Sequence, residues 1–242
     1  HYWGVGRVTT PPTETTAGVR TYTCQIYGCN ATRTEEIPKL APQVPVSERF
    51  DDVDPDGWAC EDIQYCVDHE LMNGTGNRTF APKMVMTRAQ MVQVLYNIVG
   101  EPAVTGETTF TDLTANWYQN AVLWAYQTGV ASGMSETTFA PDDPVTREQV
   151  TVFLAEFADR VLDKYTPYMW DALFPFQDRE SISYYARTAM NWACNLGLIK
   201  GIPGPGGLRL EPQSYATREQ MAVILAQFCR ELNVWNEPIP EL

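Results

Sequence analysis

Thr87-Arg88-Ala89-Gln90 recurs as Thr146-Arg147-Glu148-Gln149 and as Thr217-Arg218-Glu219-Gln220. Thr-x-x-Gln is a capping box: the Thr hydroxyl accepts from the backbone N–H three residues on, and the Gln side chain reaches back to the cap residue's own N–H. Each copy therefore opens a helix. At offsets +4, +7, +8 and +11 from the Thr stand Met91, Val94, Leu95 and Ile98, then Val150, Phe153, Leu154 and Phe157, then Met221, Ile224, Leu225 and Phe228. This is one apolar stripe at the helical period.

The residues before each box keep the same register. Phe80, Phe139 and Leu210 lie seven residues before the Thr, and Gly74, Gly133 and Gly201 each stand sixteen residues after an aromatic: Trp58, Trp117 and Tyr185. Further back, Phe50, Phe110 and Phe176 open Phe-x-Asp motifs ending at Asp52, Asp112 and Asp178. At +5, +7 and +8 from the aromatic come Ile63, Val122 and Met190, then Tyr65, Trp124 and Trp192, then Cys66, Ala125 and Ala193. Large beside small is the pattern of close helix packing. The unit is thus Phe-x-Asp, aromatic, helix, Gly, loop, capping box, helix, three times over. One two-helix unit cannot bury both of its stripes alone, so the three are expected to pack together.

The pattern resembles the S-layer homology domain, in three copies over about residues 50 to 232. The resemblance implies a mainly α fold of three helical-hairpin repeats about a pseudo-threefold axis, with one helix per repeat in a central bundle. The expected boundaries are a β-rich arm at 1–45 and repeats at 46–105, 106–165 and 166–242, the last with the tail. Two departures stand in the third copy. Tyr185 replaces Trp, and three extra residues fall between Gly201 and Leu210, within Ile-Pro-Gly-Pro-Gly-Gly.

Composition fits this class and excludes others. With 242 residues and 44% apolar content the chain can bury a core. A formal charge of −13 argues against diffuse attraction to nucleic acid or to an anionic membrane surface. No apolar run approaches the ~20 residues that cross a bilayer. The first residues lack a charged n-region and an apolar h-region, so a mature or trimmed form is expected. His1 and His69 stand in unrelated contexts, and no nucleophile–base pair, phosphate loop or metal-spaced cluster is legible. No reaction, cofactor or metal is expected.

Residues 1–45 differ in kind. Gly18 to Cys24 and Thr32 to Pro38 alternate as strands do, and they resemble a short β-rich repeat of Gram-positive surface proteins that carries Cys-x-x-Cys after Thr-Tyr-Thr. Here Tyr27 takes the second Cys position and Cys29 follows two residues later. With only Cys24, Cys29 and His1 at hand, a local disulfide or free thiols are expected rather than zinc. Lys39 to Arg49 reads as a semi-extended linker, Thr166 to Leu173 as an apolar insertion, and Asn233 to Leu242 as an irregular tail. Cys194 and Cys229, on the two helices of repeat three, are candidates for a bridge if those helices pack antiparallel. Cys60 and Cys66 fall on different faces of one helix, where no bond is expected.

The candidate ligand residues are Arg88, Arg147, Arg218, Trp58, Trp117, Tyr185, Gly74, Gly133 and Gly201. Capping needs no cation at the first helical position, so the arginines call for another reason: an anion at a helix N-terminus, a salt bridge to the Phe-x-Asp carboxylate, or both. The aromatics are core residues or sugar-stacking faces, core being the commoner fate of Trp. The glycines are expected in the left-handed conformation that ends a helix. The resemblance implies non-covalent anchoring at the cell surface through a secondary cell-wall polysaccharide. A terminal pyruvylated amino sugar would offer its carboxylate to the arginines. The alternative is a structural subunit of a self-assembling surface layer or filament, which would make the chain a homo-oligomer or polymer.

Overall fold

The computed structural model describes residues 1–4, 6–10, 16–38, 44–167 and 170–235. The Thr/Pro-rich run at 11–15, the linker residues 39–43, Tyr168 and Met169 of the insertion, and the tail from 236 to 242 lie outside the described residues. The chain divides into two compact units, His1–Pro45 and Val46–Leu242.

In the first unit, β1 (Arg7–Thr10), β2 (Gly18–Thr23) and β3 (Thr32–Ile37) form an antiparallel sheet in that order. Arg20 faces Glu35 and Tyr22 faces Arg33, whose guanidinium lies 4.4 Å from the Tyr22 ring centroid. The sheet has almost no apolar interior: among the described residues of this unit, Cys24 is the only buried hydrophobic side chain.

The second unit is helical. Its first element, α1 (Val46–Arg49), stands where an extended linker was expected. The apolar Val46 is buried and its N–H donates to Gln64, which nucleates a turn in place of a spacer. Then follow α2 (Cys60–Asp68), α3 (Arg88–Ile98), α4 (Gln119–Thr128), α5 (Arg147–Arg160), α6 (Arg187–Asn195), a hairpin of β4 (Ile202–Gly204) and β5 (Gly207–Arg209), and α7 (Arg218–Glu231). The three extra residues of repeat three are thus absorbed by the β4–β5 hairpin. In the insertion, Leu173 enters the core while Trp170 stays exposed, as does Phe174 just beyond it.

All three capping boxes form, and α3, α5 and α7 begin at the arginines. All twelve apolar positions of the stripe are buried. On the first helices, Ile63, Val122, Met190, Trp124, Trp192, Cys66, Ala125 and Ala193 are buried with them, and Tyr65 is partly so.

Helix pairing crosses the repeat boundaries. α4 packs on α3, α6 on α5 and α2 on α7, so each first helix lies against the second helix of the preceding repeat, and repeat one takes repeat three as its predecessor. Ring contacts join the second helices, with Phe157 and Phe228 6.0 Å apart. Because α6 packs on α5, the Cys194–Cys229 bridge does not form, and both thiols are free. The helix pair α2 and α7 carries Cys60, Cys66 and Cys229; burial pushes the Cys66 and Cys229 thiols up, Cys229 to about 12.

Beside the caps the backbone closes on itself. The Met86 N–H donates to Ala216, that of Ala216 to Val145 and that of Val145 to Met86, at 2.9, 3.1 and 2.9 Å. The three residues are fully buried. Three amides, one per repeat, thus satisfy one another in a closed cycle, where an unpaired group would cost about 1–3 kcal/mol.

Each Phe-x-Asp motif builds the turn ahead of a cap. The Asp52 carboxylate accepts the N–H groups of Phe80 and Ala81, Asp112 those of Phe139 and Ala140, and Asp178 those of Leu210 and Glu211, all within 2.7–3.0 Å. Ala81, Ala140 and Glu211 are held at φ of 59°, 59° and 50°, a conformation that non-glycine residues rarely adopt and that the paired carboxylate bonds sustain. At Asp112 burial pushes the carboxyl up, but the two amide donors outweigh it and the group sits below the usual range. A depressed carboxylate stabilises the fold above its unfolded pKa of ~3.9 and loses that contribution as pH falls through the folded value.

Asp52→Ala, Asp112→Ala and Asp178→Ala are each expected to cost about 2–3 kcal/mol, lowering the thermal midpoint by about 5–10 °C. Calorimetry of the three variants checks this, and a change below one degree would show that the turns stand without their carboxylates.

Candidate functional site

Among the described residues, the first turns of α3, α5 and α7 leave no free donor for an anion. At α3 the Arg88 N–H donates to Asp143, the Ala89 N–H to Pro141, the Gln90 N–H to the Thr87 hydroxyl and the Met91 N–H to the Thr87 carbonyl. The same scheme joins Arg147 and Glu148 to Ser214 and Pro212, and Arg218 and Glu219 to Met84 and Pro82. The second helix of each repeat therefore docks its first turn on the loop of the next repeat, and repeat three docks on repeat one. The expectation of exposed helix-end donors fails because a neighbouring backbone, which the sequence does not place, takes them first.

The arginine side chains follow the same rule. Arg88, Arg147 and Arg218 are only 5%, 6% and 5% exposed. The ε-nitrogens donate to the carbonyls of Phe139, Leu210 and Phe80 at 2.8–2.9 Å. These carbonyls belong to the turns that the Asp carboxylates grip by their N–H groups, so each turn is held from both sides. No direct ion pair links these arginines to Asp52, Asp112 or Asp178 among the described residues; the shared peptide stands between them. The Arg88 and Arg218 guanidiniums also lie 4.8 and 4.6 Å from the Phe139 and Phe80 rings. Burial lowers the pKa of all three, Arg218 to about 10, which leaves them charged at neutral pH.

The three arginines are not equivalent. A terminal amino group of Arg88 donates to Ser132 at 2.9 Å and one of Arg218 to Asn73 at 2.6 Å. Arg147 makes the ε-nitrogen bond alone among the described residues, which leaves its outer fork unengaged.

Trp58, Trp117 and Tyr185 take the surface in place of the core, at 63%, 55% and 58% exposed. The Tyr185 hydroxyl donates to the buried Glu148 carboxylate at 2.9 Å, and Glu148 also accepts the Ser183 N–H. Burial and that bond push Tyr185 up to about 12. Glu148 carries this tie where repeat one has Ala89, a one-position difference inside the box whose partner lies 37 residues away.

The glycines serve a different end from helix capping. The left-handed residues that end the first helices are Glu70, Gly129 and Gly197, twelve residues after each aromatic. Of the three candidates, Gly201 alone has positive φ, 78°. What the three share is space: a Cβ at Gly74, Gly133 or Gly201 would meet the ring of Phe50, Phe110 or Phe176 at 2.4–2.5 Å. The loop must pass directly over the Phe-x-Asp ring.

Two clefts join candidates from all three repeats. One, of about 530 Å³, is lined by Arg88 from repeat one, Gly133, Gln149 and Phe153 from repeat two and Tyr185 from repeat three. Another, of about 210 Å³, is lined by Arg147 from repeat two, Gly201 and Gln220 from repeat three and Trp58 from repeat one. The third set is linked through Arg218, which reaches Asn73 beside Gly74, while Trp117 stands exposed.

The family model for the S-layer homology domain matches residues 49–92, 109–151 and 175–222. The chain belongs to the S-layer homology domain family. Similar proteins include a surface-layer 125 kDa protein of Lysinibacillus sphaericus, 26% identical over 84% of this chain and 17% of that protein. An S-layer protein of Bacillus licheniformis is 22% identical over 77% and 20%, and the exoglucanase XynX of Acetivibrio thermocellus is 29% identical over 74% and 16%. The chain thus spans a fifth or less of the length of these relatives. S-layer homology domains anchor surface proteins to the cell wall, and the place of this chain is the cell surface.

The bond pattern orders the stabilities of the arginine variants. Arg88→Ala and Arg218→Ala, which strand two carbonyls each, are expected to cost about 2–4 kcal/mol, and Arg147→Ala about 1–2 kcal/mol. Urea unfolding at constant slope measures the order; equal costs at all three positions would contradict it.

Proposed function

We propose that this S-layer homology module holds a surface protein on the wall by binding a pyruvylated secondary cell-wall polysaccharide in the grooves between repeats. The observation that carries the reading is the meeting of an arginine, a loop glycine and an exposed aromatic, each from a different repeat, in the Arg88 and Arg147 clefts. The aromatic faces supply a stacking surface, the glycine lets a sugar ring approach the backbone, and a planar guanidinium fork matches a ketal carboxylate. With a chain charge of −13, an acidic glycan gains nothing from long-range attraction and must be caught by such a local cation. Among the three arginines, Arg147 has the fork most available, and Trp58 beside it is 63% exposed.

The repeats, taken as 46–105, 106–165 and 166–242, are inferred to stand about a pseudo-threefold axis. Support comes from the three-amide cycle, from the cyclic order of helix pairs, and from arginine bonds that run from repeat one to two, two to three and three to one. Such an arrangement repeats the groove three times.

Because the arginines also hold the fold, the exposed aromatics give the more selective test. Trp58→Ala with Trp117→Ala is expected to leave the thermal midpoint unchanged and to weaken binding to isolated sacculi at least about tenfold, a loss of ~1.4 kcal/mol. Wall stripped of pyruvate is expected to release the unmutated protein. Full retention in both cases would reject the reading, and ordered arrays of unbound protein under negative stain would favour the layer subunit instead.

A further inference from the structure

We propose that His1, Cys24 and Cys29 form a zinc site that holds the N-terminal sheet together. Their ligand atoms all lie within 4.8 Å of one another, with His1 Nδ1 3.4 Å from the Cys29 sulfur. A tetrahedral zinc ion with Zn–S near 2.3 Å and Zn–N near 2.0 Å separates its ligand atoms by about 3.5–3.8 Å. The cluster needs only a small contraction to reach that geometry.

The altered cysteine spacing suggested that the thiols would not share an ion. A local turn removes the difficulty. The Cys29 N–H donates to the Ile26 carbonyl at 2.9 Å, and Gly28 takes a φ of +77°, which folds the longer gap back on itself and returns Cys29 to Cys24. On the other side, the Gly4 N–H donates to Thr23, the Gln25 N–H to Tyr2, and Trp3 bridges to Cys24, so residues 2–4 run antiparallel beside Cys24 and carry His1 over it.

The unit also has a need that the ion meets. Its three strands enclose almost no apolar volume, Cys24 being the only buried hydrophobic among its described residues. A sheet of this size without a core requires a cross-link. A Cys24–Cys29 disulfide would join only two points of one turn and leave the imidazole unused. An ion joins the turn to the first strand-like segment as well. Two thiolates and one imidazole select zinc over the hard cations, and the fourth position is left for water or an outside ligand. Binding releases two thiol protons to solvent.

The test uses the whole chain, purified under reducing conditions, stripped with a chelator and titrated with Co²⁺ and then Zn²⁺. The proposal expects one equivalent of Co²⁺ with the thiolate charge-transfer and tetrahedral d–d bands, displaced by one equivalent of Zn²⁺. Cys24→Ser and Cys29→Ser are expected to abolish the bands and His1→Ala to weaken binding at least about tenfold, while Cys60→Ser retains full stoichiometry. Absence of a tetrahedral spectrum, unchanged affinity in His1→Ala, or a metal-free Cys24–Cys29 disulfide in protein isolated without reductant would each overturn it.

Discussion

Among the described residues, three buried amides, at Met86, Val145 and Ala216, have only one another as partners, and this constraint organises the helical unit. Each lies one residue before a cap threonine, so the cycle fixes where α3, α5 and α7 begin. It also sets those helices side by side, with their first turns against the loops of the next repeat. Once the first turns are so placed, the arginines fall beside the turn carbonyls, and the Asp carboxylates close the same turns from the N–H side. No repeat can be completed from its own residues. The preference for a closed three-membered assembly follows from hydrogen-bond satisfaction as much as from apolar burial.

The groove is a by-product of this closure. A helix from one repeat, a glycine loop from the same repeat, an arginine from the repeat before and an aromatic from the repeat after enclose each cleft. The arginine therefore has two duties. Its ε-nitrogen serves the turn, and its outer amino groups face the cleft or, at Arg88 and Arg218, a loop carbonyl. Tyr185 shows how a copy diverges: a Trp-to-Tyr change and a Glu at position 148 appear together, one donating to the other.

Helix starts, both apolar stripes and the repeat register were legible because they rest on local periodicity and on caps spanning three residues. The partner of each first helix was not. Sequence adjacency suggests a hairpin, whereas α2 packs on α7, whose residues lie more than a hundred positions away. The same blindness hid the carbonyl partners of the arginines and left helix ends looking free. The aromatics could be read as core residues or as sugar-stacking faces; the structure places all three at the surface, two residues ahead of the first helices. The glycines were expected in the left-handed conformation that ends a helix; only Gly201 has a positive φ, and the ring clearance over Phe50, Phe110 and Phe176 that all three share leaves no trace in the local text. In the N-terminal unit, Gly28 was the available sign that a four-residue gap could still close.

Native-state hydrogen exchange at the amides of Met86, Val145 and Ala216 tests the closed cycle most directly. If the three repeats form one cooperative body, the three amides exchange only through global opening and report a single free energy. Arg218→Ala, which loosens the turn at Phe80 across a separation of 138 residues, then lowers all three together. Three unequal free energies, or a loss confined to Ala216, would mean that the repeats open independently and that the cycle does not bind them into one structure.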